Sequence, residues 1–216
     1  LTDGILDLDT NDPPISVAGD LTIADGAVWT KGSGTATFDG ATQSLSDANT
    51  TPNDLGDALI DCDILTVSTN ATVTSIQISS GSITIINPSV PFTVNGVLTI
   101  TGELEMADGS VVDAGGDVTV AAAGTLDMDG TSRLKMEGDL SFSGTLEASD
   151  DSRIDLDGDT EQTISGTPSS GPAINRLFCS SSATVFNLTA TINDTLDAGG
   201  EDFTISNGKT LTMETG

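Results

Sequence analysis

The sequence predicts an all-β protein: one parallel β-helix with three short strands in each coil and about ten coils. Three observations carry this reading. A glycine-led motif recurs, as Gly19-Asp-Leu-Thr-Ile23, Gly96-Val-Leu-Thr-Ile100, Gly116-Asp-Val-Thr-Val120 and Gly138-Asp-Leu-Ser-Phe142, and the last three copies start 20 and 22 residues apart. Each of the coils that start at Gly96, Gly116 and Gly138 holds three segments in which apolar and polar residues alternate. When the intervals are aligned, the apolar positions coincide.

The elements follow in order within one coil. After Gly116 come Asp-Val-Thr-Val120, Thr-Leu-Asp-Met128 and Arg-Leu-Lys-Met136. The coil before carries Val-Leu-Thr-Ile100, Glu-Leu-Glu-Met106 and Val-Val-Asp-Ala114. The coil after carries Asp-Leu-Ser-Phe142, Thr-Leu-Glu-Ala148 and Arg-Ile-Asp-Leu156. Alternation with a period of two over four or five residues marks half-buried strands, and the Gly, Asp and Ser between segments mark turns.

Stacked coils place equivalent residues above one another, so the predicted core is a set of columns. The first wall stacks Leu98, Val118 and Leu140 beside Ile100, Val120 and Phe142. The second stacks Leu104, Leu126 and Leu146 beside Met106, Met128 and Ala148, and the third stacks Val112, Leu134 and Ile154 beside Ala114, Met136 and Leu156. The intervening Thr99, Thr119, Ser141, Glu105, Asp127, Glu147, Asp113, Lys135 and Asp155 point outward. Parallel β crossovers are almost always right-handed, and the same hand is expected here.

A longer repeat lies over the first. Phe38-Asp-Gly-Ala-Thr-Gln-Ser-Leu-Ser46 matches Leu156-Asp-Gly-Asp-Thr-Glu-Gln-Thr-Ile-Ser165, and Cys62 matches Cys179. Residues 1–216 thus read as one domain made of two degenerate copies of a module of about 118 residues, 38–155 and 156 onward. Insertions near 46–58 and 166–173, marked by Pro52, Pro168 and Pro172, are expected to bulge from the surface. At about 21 residues per coil the two cysteines lie some 25 Å apart along the axis, too far for an internal disulfide, so two buried thiols are expected.

The string Thr37-Phe-Asp-Gly, then Gln43-Ser-Leu-Ser46, a strand pair, and Phe92-Thr-Val-Asn-Gly-Val-Leu-Thr-Ile-Thr-Gly102 resembles repeat regions of very large secreted bacterial surface proteins. Those chains are adhesin-like or filament-forming and are built on parallel β-helices. The resemblance implies an extracellular or cell-surface structural protein, and it carries no fixed site residues. Composition agrees: 33 acidic against 6 basic residues give a net charge of −27, and aromatics are 3 %. Such a surface disfavours nucleic acid and anionic membranes, and no apolar run reaches the ~20 residues of a membrane span. With 36 % apolar residues in strict alternation, a continuous core can still form.

Candidate chemistry is sparse. The chain has no His, which removes the commonest general base and metal ligand. No cofactor is required by any motif. Calcium is the one open ligand, at Asp-rich corners formed by Asp127 and Asp129 and by Asp150 and Asp151, against the competing reading of a solvated acidic face. Asp117, Asp139 and Asp159 are expected to stack at the mouth of the first wall, as the acids of a carbohydrate-active β-helix enzyme would, or simply as corner residues. Trp29 is either core or a surface contact for carbohydrate. Asn49, Asn70, Asn187 and Asn193 lie in Asn-x-Thr sequons.

The ends suggest assembly. The chain opens and stops within repeats, and neither end has the polar character of a capping repeat. The strand beginning Gly4-Ile5-Leu6-Asp-Leu8 and the strand containing Leu211 and Met213 both alternate correctly to continue a helix. Head-to-tail stacking on a second copy, or continuation of a longer chain, is the expected partnership.

Overall fold

The computed structural model describes residues 1–149, 151–168 and 172–214. Twenty-seven short strands form, with no helix among the described residues. They stack in parallel into three walls. The first has ten strands, from Ile15–Val17 to Asp202–Ile205; the second has seven, from Leu21–Ile23 to Thr145–Ala148; the third has eight, from Ala71–Val73 to Leu211–Met213. A two-stranded sheet, Ile5–Asp7 with Val28–Thr30, lies at the N-terminal end. The protein is a parallel β-solenoid of about ten turns, as the sequence predicts.

From Asp57 to Leu156 the chain circles the three walls five times in succession. The predicted columns are in register: Leu98, Val118 and Leu140 pair across the first wall, Leu104, Leu126 and Leu146 across the second, and Val112, Leu134 and Ile154 across the third. Burial alternates residue by residue because successive side chains of a strand point to opposite faces. The inner residues form one apolar cluster reaching from Ile23 to Ile192.

Small residues let the chain turn tightly between the second and third walls. Ser110, Ser132 and Ser152 are buried at successive copies of this corner. Their backbone N–H groups donate to Ala107 O, Asp129 O and Ser149 O at 3.0, 3.0 and 3.1 Å. A larger side chain at these positions would have to displace the core below.

Three strands per coil hold only in the middle of the rod. Beyond the strand Thr145–Ala148 the second wall ends, and the chain passes from Gln162–Ser165 in the first wall to Ala173–Cys179 in the third. Leu146 and Ala148 are therefore half-buried rather than core, because among the described residues no further second-wall strand pairs over Thr145–Ala148. The last coils compensate with longer strands, seven residues in Ala173–Cys179 and eight in Ala190–Asp197, with a register shift between Ile174 and Arg176.

At the other end, residues 48–56 replace a third-wall strand. The sequence leads one to expect a bulge there, but the segment folds onto the ladder: Asp54 bridges Thr72, and Leu55 is buried. The buried carboxylate of Asp47 organises it, accepting from the backbone and side-chain N–H groups of Asn49 and Asn53. Burial alone would raise the Asp47 pKa, yet these donors outweigh it and hold the carboxyl below its ordinary value. Asn53 in turn accepts from the backbone N–H of Trp29 at 3.0 Å. Trp29 itself is core. Of the second insertion, 166–173, residues 169–171 lie outside the described residues.

Candidate functional site

The outer acids of the second wall stack at strand spacing. Glu105, Asp127 and Glu147 are directly paired in register, an arrangement in which like charges repel. The Asp127 carboxyl is pushed up to about 6, by desolvation first and then by the charges of Asp129, Glu147, Glu105 and Glu103. At the neighbouring corner, Asp129 accepts from the Ser149 hydroxyl at 3.1 Å. Of the remaining calcium candidates, Asp151 pairs with Arg176, and Asp150 lies outside the described residues. Among the described residues no three His, Cys, Asp or Glu side chains come together as a metal-binding group.

The first-wall aspartates have a defined structural task. Asp117 Oδ1 accepts the backbone N–H of Asp139 at 2.9 Å, and Asp139 Oδ1 accepts that of Thr163 at 2.7 Å. On the second wall, Asp20 Oδ1 does the same for Ser44 at 2.8 Å. Each carboxylate thus ties one coil to the next. Asp159, expected to continue this column, does not: Thr163 occupies the position, because Leu140 pairs with Ile164.

The chain's cations gather on the third wall. Arg133, Arg153 and Arg176 stack in register, with Lys135 beside them, so four of the six basic residues share one face. Stacked like charges are unfavourable, and aspartates offset each one. Asp155, only 3 % exposed, bridges Arg133 and Arg153, the latter at 3.0 Å. Arg176 bridges Asp151 and Asp194. Lys135 lies 3.1 Å from Asp157 and 3.3 Å from Asp113. Desolvation alone would lower the Lys135 pKa, but these carboxylates raise it above the ordinary lysine value.

Between these residues is a cavity of about 170 Å³, lined by Arg133, Arg153, Asp155, Asp157 and Phe178 among others. The Arg153 guanidinium sits 4.6 Å from the Phe178 ring centroid, a cation–π contact. Three buried atoms here have no hydrogen-bond partner among the described residues: Arg153 Nε, Asp155 Oδ1 and Asp157 Oδ1. The sequence signalled part of this site through the repeated Arg133 and Arg153 and the alternating Asp113, Lys135 and Asp155. It gave no signal for Arg176 and Phe178, which lie beyond the second insertion where the repeat frame is interrupted.

The assembly candidates fall at the two ends. Ile5 and Leu6 are exposed at 69 % and 37 %, and Met213 at 46 %. Leu8 and Leu211 are partly buried against the core. Cys62 and Cys179 are free and buried; burial pushes the Cys179 thiol up to about 11 and raises Cys62 as well. The Asn49 side chain is engaged, donating to Ala27 O at 3.1 Å and accepting from Gly26 N–H at 2.8 Å. Asn70 and Asn187 are exposed and Asn193 half-buried. No helix among the described residues is long and apolar enough to cross a membrane.

Comparison of the chain with protein-family models, with curated proteins and with solved structures finds no match.

Proposed function

We propose that this chain is a structural segment of an extracellular or cell-surface rod, such as a filament, sheath or adhesin stalk. The rod extends coil on coil, through a second copy or through more of the same polypeptide. The carrying observation is the continuous apolar core from Ile23 to Ile192 under a parallel ladder whose end strands leave Ile5, Leu6 and Met213 exposed. A further coil laid over either end would pair the free ladder groups and cover those side chains. The acid-rich surface suits a rod that stays soluble and does not adhere to nucleic acid.

A carbohydrate-active enzyme is the second reading suggested by the sequence. Asp117 and Asp139 favour the structural one, since their carboxylates are engaged by the backbone of the next coil. Negative-stain electron microscopy tests the proposal. Rods should appear whose lengths are multiples of about 48 Å, ten coils at ~4.8 Å each. Compact particles without axial growth, or release of reducing ends from a polysaccharide panel by the purified chain, would overturn it.

A further inference from the structure

We infer that Asn207 is a site of spontaneous covalent modification, where the side-chain amide is lost and aspartate or isoaspartate takes its place. Asn95, in the same dipeptide, is protected by the coils around it. The inference concerns the chemistry of one turn and does not depend on the rod reading.

The chain holds two Asn-Gly pairs, Asn95-Gly96 and Asn207-Gly208, which follow the matching strings Phe92-Thr-Val and Phe203-Thr-Ile-Ser. A glycine on the C-terminal side favours the reaction because it puts no Cβ beside the attacking backbone nitrogen. Gly208 N attacks Asn207 Cγ, and the new N–C bond closes a five-membered imide. The Cγ–Nδ2 bond breaks, and the amine leaves as ammonia with the proton that Gly208 N has lost. Water then opens the ring. Attack at Cγ restores the normal backbone with an aspartate side chain, while attack at the main-chain carbonyl routes the backbone through Cγ as isoaspartate.

Reaching that geometry takes conformational freedom, and the two pairs differ in it. Asn207 and Gly208 are exposed in the turn between the strands Asp202–Ile205 and Leu211–Met213. Lys209 N–H donates to Ser206 O across this turn at 3.0 Å, and Gly208 has φ +77°. Among the described residues, neither the Asn207 side chain nor Gly208 N–H makes a hydrogen bond. A Cβ built on Gly208 would meet nothing within 4 Å, so the turn has room to swing.

Asn95 is also exposed, so access to water does not separate the pairs. Backbone packing does. Asn95 Nδ2 donates to Asp54 Oδ2 at 3.0 Å, and its backbone N–H donates to Val73 O at 2.9 Å. From the following coil, a Cβ on Gly115 would lie 2.7 Å from Asn95 O, and one on Gly116 2.8 Å from Gly96 C. With backbone packed on both sides, this peptide must leave the ladder before Gly96 N reaches Cγ.

Peptide mapping by mass spectrometry reads both sites, since amide loss changes the mass and the two products separate by chromatography. The parent would be held folded in mildly alkaline buffer, alongside Ile5→Asp/Met213→Asp, a double variant in which end-to-end contact does not shield the turn. Asn207 should convert on the order of tenfold faster than Asn95, because a free turn opens readily and a packed coil opens only by local unfolding. Gly208→Ala should slow the conversion, and Asn207→Gln should stay unmodified over the same period. In concentrated guanidinium, where no coil remains, the two sites should convert at similar rates. The inference fails if Asn207 keeps its amide in both folded proteins, or if Asn95 converts as fast there. It fails equally if the difference persists in the unfolded chain, since sequence and not packing would then be its cause.

Discussion

Gln43 and Gln162 make the same three hydrogen bonds 119 residues apart, on different walls of the solenoid. Gln43 Oε1 accepts from Gly40 N–H at 2.9 Å, while its Nε2 donates to Val17 O and Gly19 O, both at 2.6 Å. Gln162 Oε1 accepts from Gly158 N–H at 2.9 Å, and its Nε2 donates to Met136 O and Gly138 O at 3.0 and 2.6 Å. Each amide clamps its own turn to the coil beneath. The turn glycines are required: a Cβ on Gly40 would lie 2.5 Å from Ala18 O, and one on Gly158 2.2 Å from Glu137 O. The clamp is a local unit of turn, glutamine and preceding coil, which is why the repeated motif keeps its contacts on a different wall.

Gln162→Ala therefore leaves Gly158 N–H and Gly138 O without this partner, while Met136 O keeps the Asp157 N–H at 3.0 Å. At about 1–3 kcal/mol for an orphaned group, partly relieved by water, the loss should be about 2–4 kcal/mol. Gln162→Glu should be worse at neutral pH, since a carboxylate cannot donate to Met136 O and Gly138 O and faces them with a charge. Thermal melts of both variants, and of the matching Gln43 pair, give the measurement. A Gln162→Glu protein as stable as the parent would contradict the clamp.

Leu126 lies fully buried between Leu104 and Leu146. Leu126→Ala should cost about 2–5 kcal/mol through lost contact and a residual cavity. Leu126→Asp should prevent folding, since the core there offers no partner for a carboxylate. Leu146→Ala should cost less than Leu126→Ala, because Leu146 is half-buried at the end of its wall. Chemical denaturation of the three variants ranks them, and the reverse order for the two alanine variants would be inconsistent with the observed end of the second wall.

The regular middle of the rod was legible because its columns are local: each strand alternates, and each coil repeats the one before it. The ends were not, for a related reason. Residues 48–56 join the ladder through Asp47, Asn49 and Asn53, whose side chains imitate a strand's pairing without its alternation. Thr145–Ala148 alternates like any other strand, and Leu146 is half-exposed because this is the last described strand of the second wall. Asp155 reads as an outward acid, yet Arg133 and Arg153 cover it. Those contacts depend on which side chains meet across coils, which alternation does not encode.

Asp127 gives stability a pH dependence of defined sign. Its folded pKa is about 6 against an ordinary 3.8, so between those values the folded protein holds a proton that the unfolded chain has lost. Stability from this group must fall as pH rises through that window. Asp127→Asn should raise the melting temperature at pH 7–8, by on the order of 1 kcal/mol after solvent screening of the half-exposed stack, and change little near pH 4. Melts across pH 4–8 check both. An equal effect at both ends of the range would remove Asp127 as the cause.

The remaining acids should respond to ionic strength. With a net charge of −27, self-repulsion is screened as the Debye length shortens from ~10 Å at 0.1 M salt to ~3 Å at 1 M. The melting temperature should therefore rise with sodium chloride. Calcium at matched ionic strength should act as added sodium chloride does, since Arg176 already holds the candidate Asp151. A calcium increment reversed by chelator would show a specific site and contradict this prediction.

The end strands carry the assembly prediction. Ile5 at 69 % exposure and Met213 at 46 % lie on opposite ends of the solenoid and support no core of their own, so charging them should leave the fold intact. Axial stacking would bury both, and a carboxylate placed there would be trapped against an apolar coil. Ile5→Asp and Met213→Asp should each reduce concentration-dependent sedimentation of the parent, and the double variant should run as a single species. Leu211 pairs with Ala190 within the ladder and is half-buried, so Leu211→Pro should disrupt both the last coil and the joint. A charged double variant that still forms rods like the parent would mean that contact runs through the sides of the solenoid and not its ends.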